Sequence, residues 1–203
     1  MITQLKQLLG PKCSAIIVNA ELTEFVNTPS KQMKFCEAVN HSFDIPLKIN
    51  SSNLGCPGAR RCLSFDNHEV KLTKTISDNN RIPLQFIDRA LHNIPRIHSL
   101  NHIILGMTEF MEQETQPDLF IVYVKPHAIT KIIHALARQS VIPSLPPYSL
   151  LSVCGNVFAN CYQNKNVSMS FGCPESRRHG GINKEEVVVG IPYAIASKLI
   201  QSI

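Results

Sequence analysis

Four cysteines stand at matched positions in this chain, and thiolate chemistry is what they would do together. Gly55-Cys-Pro-Gly-Ala-Arg-Arg61 and Gly172-Cys-Pro-Glu-Ser-Arg-Arg178 agree at five of seven positions. Cys36, opening Cys-Glu-Ala-Val, lies 20 residues before Cys56, and Cys154, opening Cys-Gly-Asn-Val, lies 19 residues before Cys173. Two cysteines at matched separation, twice, look like one site built from two related halves. Four thiolates suit an iron–sulfur cluster, with zinc second, because structural zinc favours close Cys-x-x-Cys knuckles and the chain has none. Cys36, Cys56, Cys154 and Cys173 are therefore the candidate metal ligands.

The turn itself supports a second chemistry. Pro57 and Pro174 suit the first position of a short helix, where backbone N–H groups lack partners. Such a start next to arginine favours a phosphate or carboxylate and lowers the pKa of a neighbouring thiol. Arg60 and Arg177 are the candidates for holding a small anion or for tuning a cluster. One arginine of each doublet is expected to be an ordinary solvated residue, since adjacent helical positions diverge by about 100°. Three readings stand side by side: a metal or iron–sulfur protein with a redox partner, a metal-free module for an anionic metabolite, and an enzyme with Cys56 or Cys173 as nucleophile. Against all three stands plain burial, which accounts well for helix cysteines and poorly for Gly-Cys-Pro turns.

The elements that must position these residues repeat as well. Ala15–Asn19 and Leu119–Val124 are apolar strands. Thr28-Pro29 reads as a helix start, with Met33, Cys36 and Val39 at helical spacing. Beyond Pro146-Pro147, Leu150, Cys154, Val157, Phe158 and Cys161 form one apolar stripe. Pro46–Asn50 and Val167–Phe171 are strands leading into the two cysteine turns. A helix over His127–Gln139, a strand over Val187–Gly190 and a closing helix from Pro192 complete the second half. The segment Pro83–Ile94 is the candidate first-half partner of that closing helix, and Ile103–Met107 is a further strand. The expected fold is α/β or α+β, with two pseudo-symmetric halves at 1–112 and 117–203 joined near Gln113–Gln116. Each half carries strands, a cysteine-bearing helix and the Gly-Cys-Pro-x-x-Arg-Arg turn.

Composition narrows the partners. The 203 residues can bury a sizeable core, and 44% hydrophobic with 17% charged residues is an ordinary globular balance. A net charge of +5 without a basic block, and with no tryptophan, argues against nucleic-acid binding. No apolar run approaches the roughly 20 residues of a membrane span, and the start lacks a secretory signal, so a cytoplasmic location is expected. Seven cysteines, an odd number, do not make a paired disulfide framework. Cys161 reads as core, while Cys62 and Cys13 have no matched partner. The eight histidines are scattered, with no His-Glu-x-x-His pair.

The chain resembles the uncharacterised family catalogued as domain of unknown function 169, found in archaea and many anaerobic bacteria. The resemblance rests on Cys36-Glu-Ala-Val, Cys56-Pro-Gly-Ala-Arg-Arg, Pro117-Asp118 with its strand and Lys125-Pro126, Cys154, Asn166 through Cys173, Ser176-Arg177, and Glu186 through Pro192. Pro174-Glu175 and Lys125 depart from the family's usual residues. The family has no assigned activity. Its occurrence in anaerobes fits an oxygen-sensitive iron–sulfur site by analogy alone.

Overall fold

The computed structural model describes residues 1–21, 26–65, 69–106, 115–146 and 150–202. The boundary expected at Gln113–Gln116 falls partly outside them. The described residues form a mixed α+β fold with nine α-helices, one π-helix and six strands. The strands are β1 (Cys13–Val18), β2 (Leu47–Asn50), β3 (His102–Leu105), β4 (Leu119–Val124), β5 (Ser168–Ser170) and β6 (Val187–Pro192). They make one antiparallel sheet in the order β2-β3-β1-β4-β6-β5. At its centre β1 meets β4, pairing Cys13 with Val122 and Ile16 with Leu119.

Alternation along the strands sends side chains to two separate cores. Ile16, Ile103, Leu105, Leu119, Ile121, Tyr123 and Val188 face one layer of helices. That layer holds α2 (Phe35–His41), α3 (Pro57–Cys62), α4 (Glu69–Asn80), α5 (Leu84–His92), the π-helix (Ser152–Ala159) and α7 (Asn160–Asn164). Ala15, Ile17, Ile104, Phe120, Val122, Val189 and Ile191 face the other layer. There lie α1 (Ile2–Leu9), α6 (Pro126–Arg138) and α9 (Tyr193–Ser202). Among the described residues no helix is long and apolar enough to cross a membrane.

Three local outcomes differ from the sequence reading. Helix α2 starts at Phe35, not at Thr28-Pro29. Backbone bonds tie Met33 to Asn53 and Gly55, and this bridge keeps the approach to α2 extended. The stripe beyond Pro146 opens as a π-helix, with all eight residues of 152–159 buried. It lies close to the sheet because its floor is small: Ser168, Ser170 and Gly190. Ser168 Oγ donates to Asn156 O at 2.5 Å, and Ser152 Oγ to Ser170 Oγ at 2.8 Å. A Cβ at Gly190 would stand 3.0 Å from both Cys161 and Val157. Third, α5 packs in the layer opposite the closing helix α9, so it is not that helix's counterpart.

The end of β3 fixes the position of α2. Gly106 has φ +80°, and a Cβ there would lie 2.3 Å from the Ser42 carbonyl oxygen at the end of α2. Ser42 in turn shares a 2.7 Å hydroxyl bond with Ser14 of β1. Replacing Gly106 with Ala adds left-handed strain to a backbone clash and should cost about 2–4 kcal/mol in denaturant unfolding. A loss under 1 kcal/mol would show that α2 is not clamped at this point.

Candidate functional site

The cysteine-bearing elements pack crosswise. Helix α3, which follows the first Gly-Cys-Pro turn, lies against the π-helix, and α8 (Pro174–His179), which follows the second, lies against α2. Phe35 of α2 and Phe158 of the π-helix pack as tilted rings, 5.3 Å between centroids, and join the two pairs. Each cysteine turn starts its helix as the sequence requires, with Cys56 and Cys173 as N-caps and proline following.

Small residues allow the crossings. A Cβ at Gly180 would stand 2.9 Å from Cys36 Cβ, and one at Gly155 would stand 3.2 Å from Cys62 Sγ. The Cys36 thiol reaches the Glu175 carbonyl at 3.9 Å. An ion pair between Lys34 and Glu175 closes the same crossing and, with His179 and Arg178, holds the Glu175 carboxyl below its usual range.

Cys56 and Cys173 act electrostatically on both Cys36 and Cys154. Burial pushes the Cys36 thiol up to about 12, with the neighbouring Cys56 and Cys173 adding to the shift. Burial also raises Cys56, with Cys173 contributing, while the backbone N–H groups of Ala59 and Gly58 oppose it by bonding the sulfur. At Cys173 the sulfur accepts the Ser176 backbone N–H, and Ser176 Oγ accepts the Cys173 N–H at 2.8 Å. Cys154 is raised by the bond it makes to Cys62, by burial, and by nearby Cys56 and Cys173.

Cys62 joins this group, although no spacing rule singled it out. It is fully buried at the end of α3 and accepts the Cys154 thiol. That bond, with Arg61 and Arg96 beside it, favours the Cys62 thiolate. Cys161 is a core residue on the same side, its thiol raised by burial. Cys13 belongs to the opposite layer. Among the described residues, no three His, Cys, Asp or Glu side chains are arranged to hold a metal ion.

Tyr123 is the other residue that sequence reasoning passed over, since it read only as part of a strand. Its ring is buried edge-on to Phe43 at 5.0 Å, and its hydroxyl has no hydrogen-bond partner among the described residues. Burial, and then Cys36, Glu186 and Cys173, disfavour its ionisation, which places the hydroxyl within reach of the cysteines' field. Lys12 lies 5.7 Å above the ring and bonds Glu186 and the Gly181 carbonyl, each at 2.9 Å.

The repeated arginines are held by the backbone. Arg60 donates to the carbonyls of Ser51 and Leu54 at 2.5 and 2.9 Å. Arg177 donates to Asn183 O at 2.6 Å, to Glu186 O at 3.3 Å and to Phe171 O. In both turns one bond goes to the carbonyl six residues back. Their doublet partners diverge: Arg61 is buried at 5% exposure, whereas the Arg178 side chain is 70% exposed.

Fold and site together define a mixed α+β protein with a buried, cysteine-rich centre on one face of its sheet. The chain belongs to the family of domain of unknown function 169, described as uncharacterised ArCR, whose profile matches residues 5–202. Neither the curated proteins nor the solved structures contain a match.

Two outcomes follow. A buried thiol with a raised pKa stabilises the fold below the ordinary thiol pKa and loses that contribution as pH rises through its folded value. Stability should therefore fall from pH 9 towards about 12, by about 1.4 kcal/mol per pH unit for Cys36. Urea unfolding of Cys36→Ala should show a shallower slope than wild type by that amount; Cys56, Cys154, Cys161 and Tyr123 account for the rest. Separately, Arg60→Ala and Arg177→Ala should each cost about 1–3 kcal/mol through lost carbonyl bonds. The exposed Arg178→Ala should stay within about 0.5 kcal/mol, and equal effects would mean the paired arginines are not anchors.

Proposed function

We propose that the protein binds an iron–sulfur cluster through Cys36, Cys56, Cys154 and Cys173, where two similar halves meet. The carrying observation is the crosswise packing, which sets each cysteine turn against the other half's cysteine helix. In this reading β1, β2 and β3 correspond to β4, β5 and β6, and the sheet order is the same counted from either edge. The matching bonds of Arg60 and Arg177 to the sixth residue back support the equivalence.

The described residues form no ready-made group of three metal ligands, so a cluster would have to draw the sulfurs together, and three features favour that. The thiols come from four separate elements on one side of the sheet. Cys56 and Cys173 sit at helix starts whose N–H groups bond sulfur, and such bonds stabilise thiolate and tune cluster potential. The buried Tyr123 hydroxyl beside Cys36 and Cys173 is a donor without an acceptor, which the sulfur of a cluster would supply. When bound, the cluster would supply one-electron redox chemistry. The chain's own part is to hold the sulfurs, exclude water and donate hydrogen bonds. A metal-free anion module built on Arg60 and Arg177 has less support, because both guanidinium groups are engaged by backbone carbonyls.

Anaerobically purified protein should be brown and contain iron and acid-labile sulfide. Cys36→Ser, Cys56→Ser, Cys154→Ser and Cys173→Ser should each lower iron content, while Cys13→Ser and Cys62→Ser should retain it. Because the Cys36 and Cys56 thiols are raised, cluster assembly must release their protons, so uptake should strengthen as pH rises. Tyr123→Phe should keep the iron and lower the reduction potential in voltammetry, since a donor to sulfur is lost. Colourless protein without iron after anaerobic reconstitution overturns the proposal, and bound zinc alone would replace the cluster with a structural metal.

A further inference from the structure

Cys62 and Cys154 meet where α3 packs on the π-helix. Cys62 is fully buried at the end of α3, and Cys154 keeps 7% exposure. Their sulfurs are hydrogen-bonded to each other. Gly155 permits the close approach, because a Cβ there would stand 3.2 Å from Cys62 Sγ and 2.6 Å from the Ile94 side chain.

Cys36, Cys56 and Cys173 direct their sulfurs to the backbone instead. Cys36 reaches the Glu175 carbonyl at 3.9 Å, Cys56 accepts the N–H groups of Ala59 and Gly58, and Cys173 accepts that of Ser176. Cys62 stands outside the four matched cysteines, and a buried thiol that merely fills space needs no second sulfur beside it. A thiol held against Cys154 has a chemical use, since two sulfurs already in contact on facing helices need only close to about 2.05 Å to bond.

We propose that Cys62 and Cys154 form a reversible disulfide when the metal-free protein meets hydrogen peroxide. Peroxide gives one oxygen to one thiol of the pair, producing a sulfenic acid and a water. The second thiol then attacks that sulfur. The S–S bond forms, and the sulfenic oxygen leaves as a second water. The two sulfurs together lose two electrons, and one peroxide is reduced to two waters. A dithiol reductant reverses the step by exchange. The disulfide itself does not depend on a metal. Its consequence rests on the cluster reading: a Cys154 bonded to Cys62 cannot ligate iron, so oxidation closes the cluster site until reduction reopens it.

The test treats reduced, metal-free, full-length protein with a small molar excess of hydrogen peroxide. The sample is quenched in acid, alkylated in denaturant and digested for peptide mapping. A peptide linking Cys62 to Cys154 is expected, with two of the seven thiols lost to alkylation and both restored by dithiothreitol. Cys161→Ser, which removes another core cysteine, should keep the link, and Cys62→Ser should lose it. In anaerobic reconstitution without added thiol, linked protein should take up about tenfold less iron than the same sample reduced beforehand, because one ligand is withheld. Equal uptake by the two samples would overturn the consequence for the cluster. If neither takes up iron, the cluster reading fails and the linked peptide alone upholds the disulfide. Seven free thiols after treatment, a sulfinic acid without a link, or a link through any other pair would overturn the proposal.

Discussion

The antiparallel seam between β1 and β4 is the constraint on which the rest depends. Four residue pairs, from Cys13 with Val122 to Ile16 with Leu119, join the two ends of the sheet order. The strands are covered on both faces, so they read as continuous apolar runs instead of alternating ones. Because successive residues point to opposite faces, the same seam builds both cores. Ile16, Leu119 and Ile121 support the cysteine-bearing helices, while Ala15, Phe120 and Val122 support α1, α6 and α9. A one-residue slip would exchange the two cores and lift Tyr123 away from the cysteines.

The strands were legible because their signal is local. Leu119–Val124, Pro46–Asn50 and Val187–Gly190 announce themselves by apolar content and flanking breakers, and each contains or overlaps a strand. Helix limits were less legible, since long-range bonds set them. Thr28-Pro29 has every mark of a helix start, yet the Met33 bridge to Asn53 and Gly55 keeps the chain extended as far as Lys34. The π-helix was invisible for a related reason. Helical spacing from Leu150 to Cys161 predicts a stripe, but Ser168, Ser170 and Gly190 beneath it let the whole turn sink into the core. Likewise Pro83–Ile94 carries a helical pattern that says nothing about which face of the sheet it will cover.

For the site, matched spacing named four cysteines, and packing decides what surrounds each of them. Matched spacing singled out Cys36, Cys56, Cys154 and Cys173; Cys36, Cys56 and Cys154 belong to or pack against one core, and Cys173 acts on each of them. Cys62 has no match, so only the packing of α3 on the π-helix shows its bond to Cys154. The arginines show the converse limit. Residue type and a neighbouring helix start pointed to an anion, whereas the carbonyls of Leu54 and Phe171 come within reach only once the turns have folded back.

The placement of Cys13 has a consequence for the molecule's internal motions. It is buried in one core while six cysteines belong to or pack against the other side of the sheet, Cys173 through its effect on Cys36. Thiol accessibility can therefore be read separately for the two layers. If the layers open as distinct cooperative units, a slow alkylating reagent would modify Cys13 and Cys62 at different rates and with different sensitivity to denaturant. If the seam makes the sheet open all at once, the two would become reactive together. The chain thus carries its own pair of reporters for whether its two layers breathe independently or only by global unfolding.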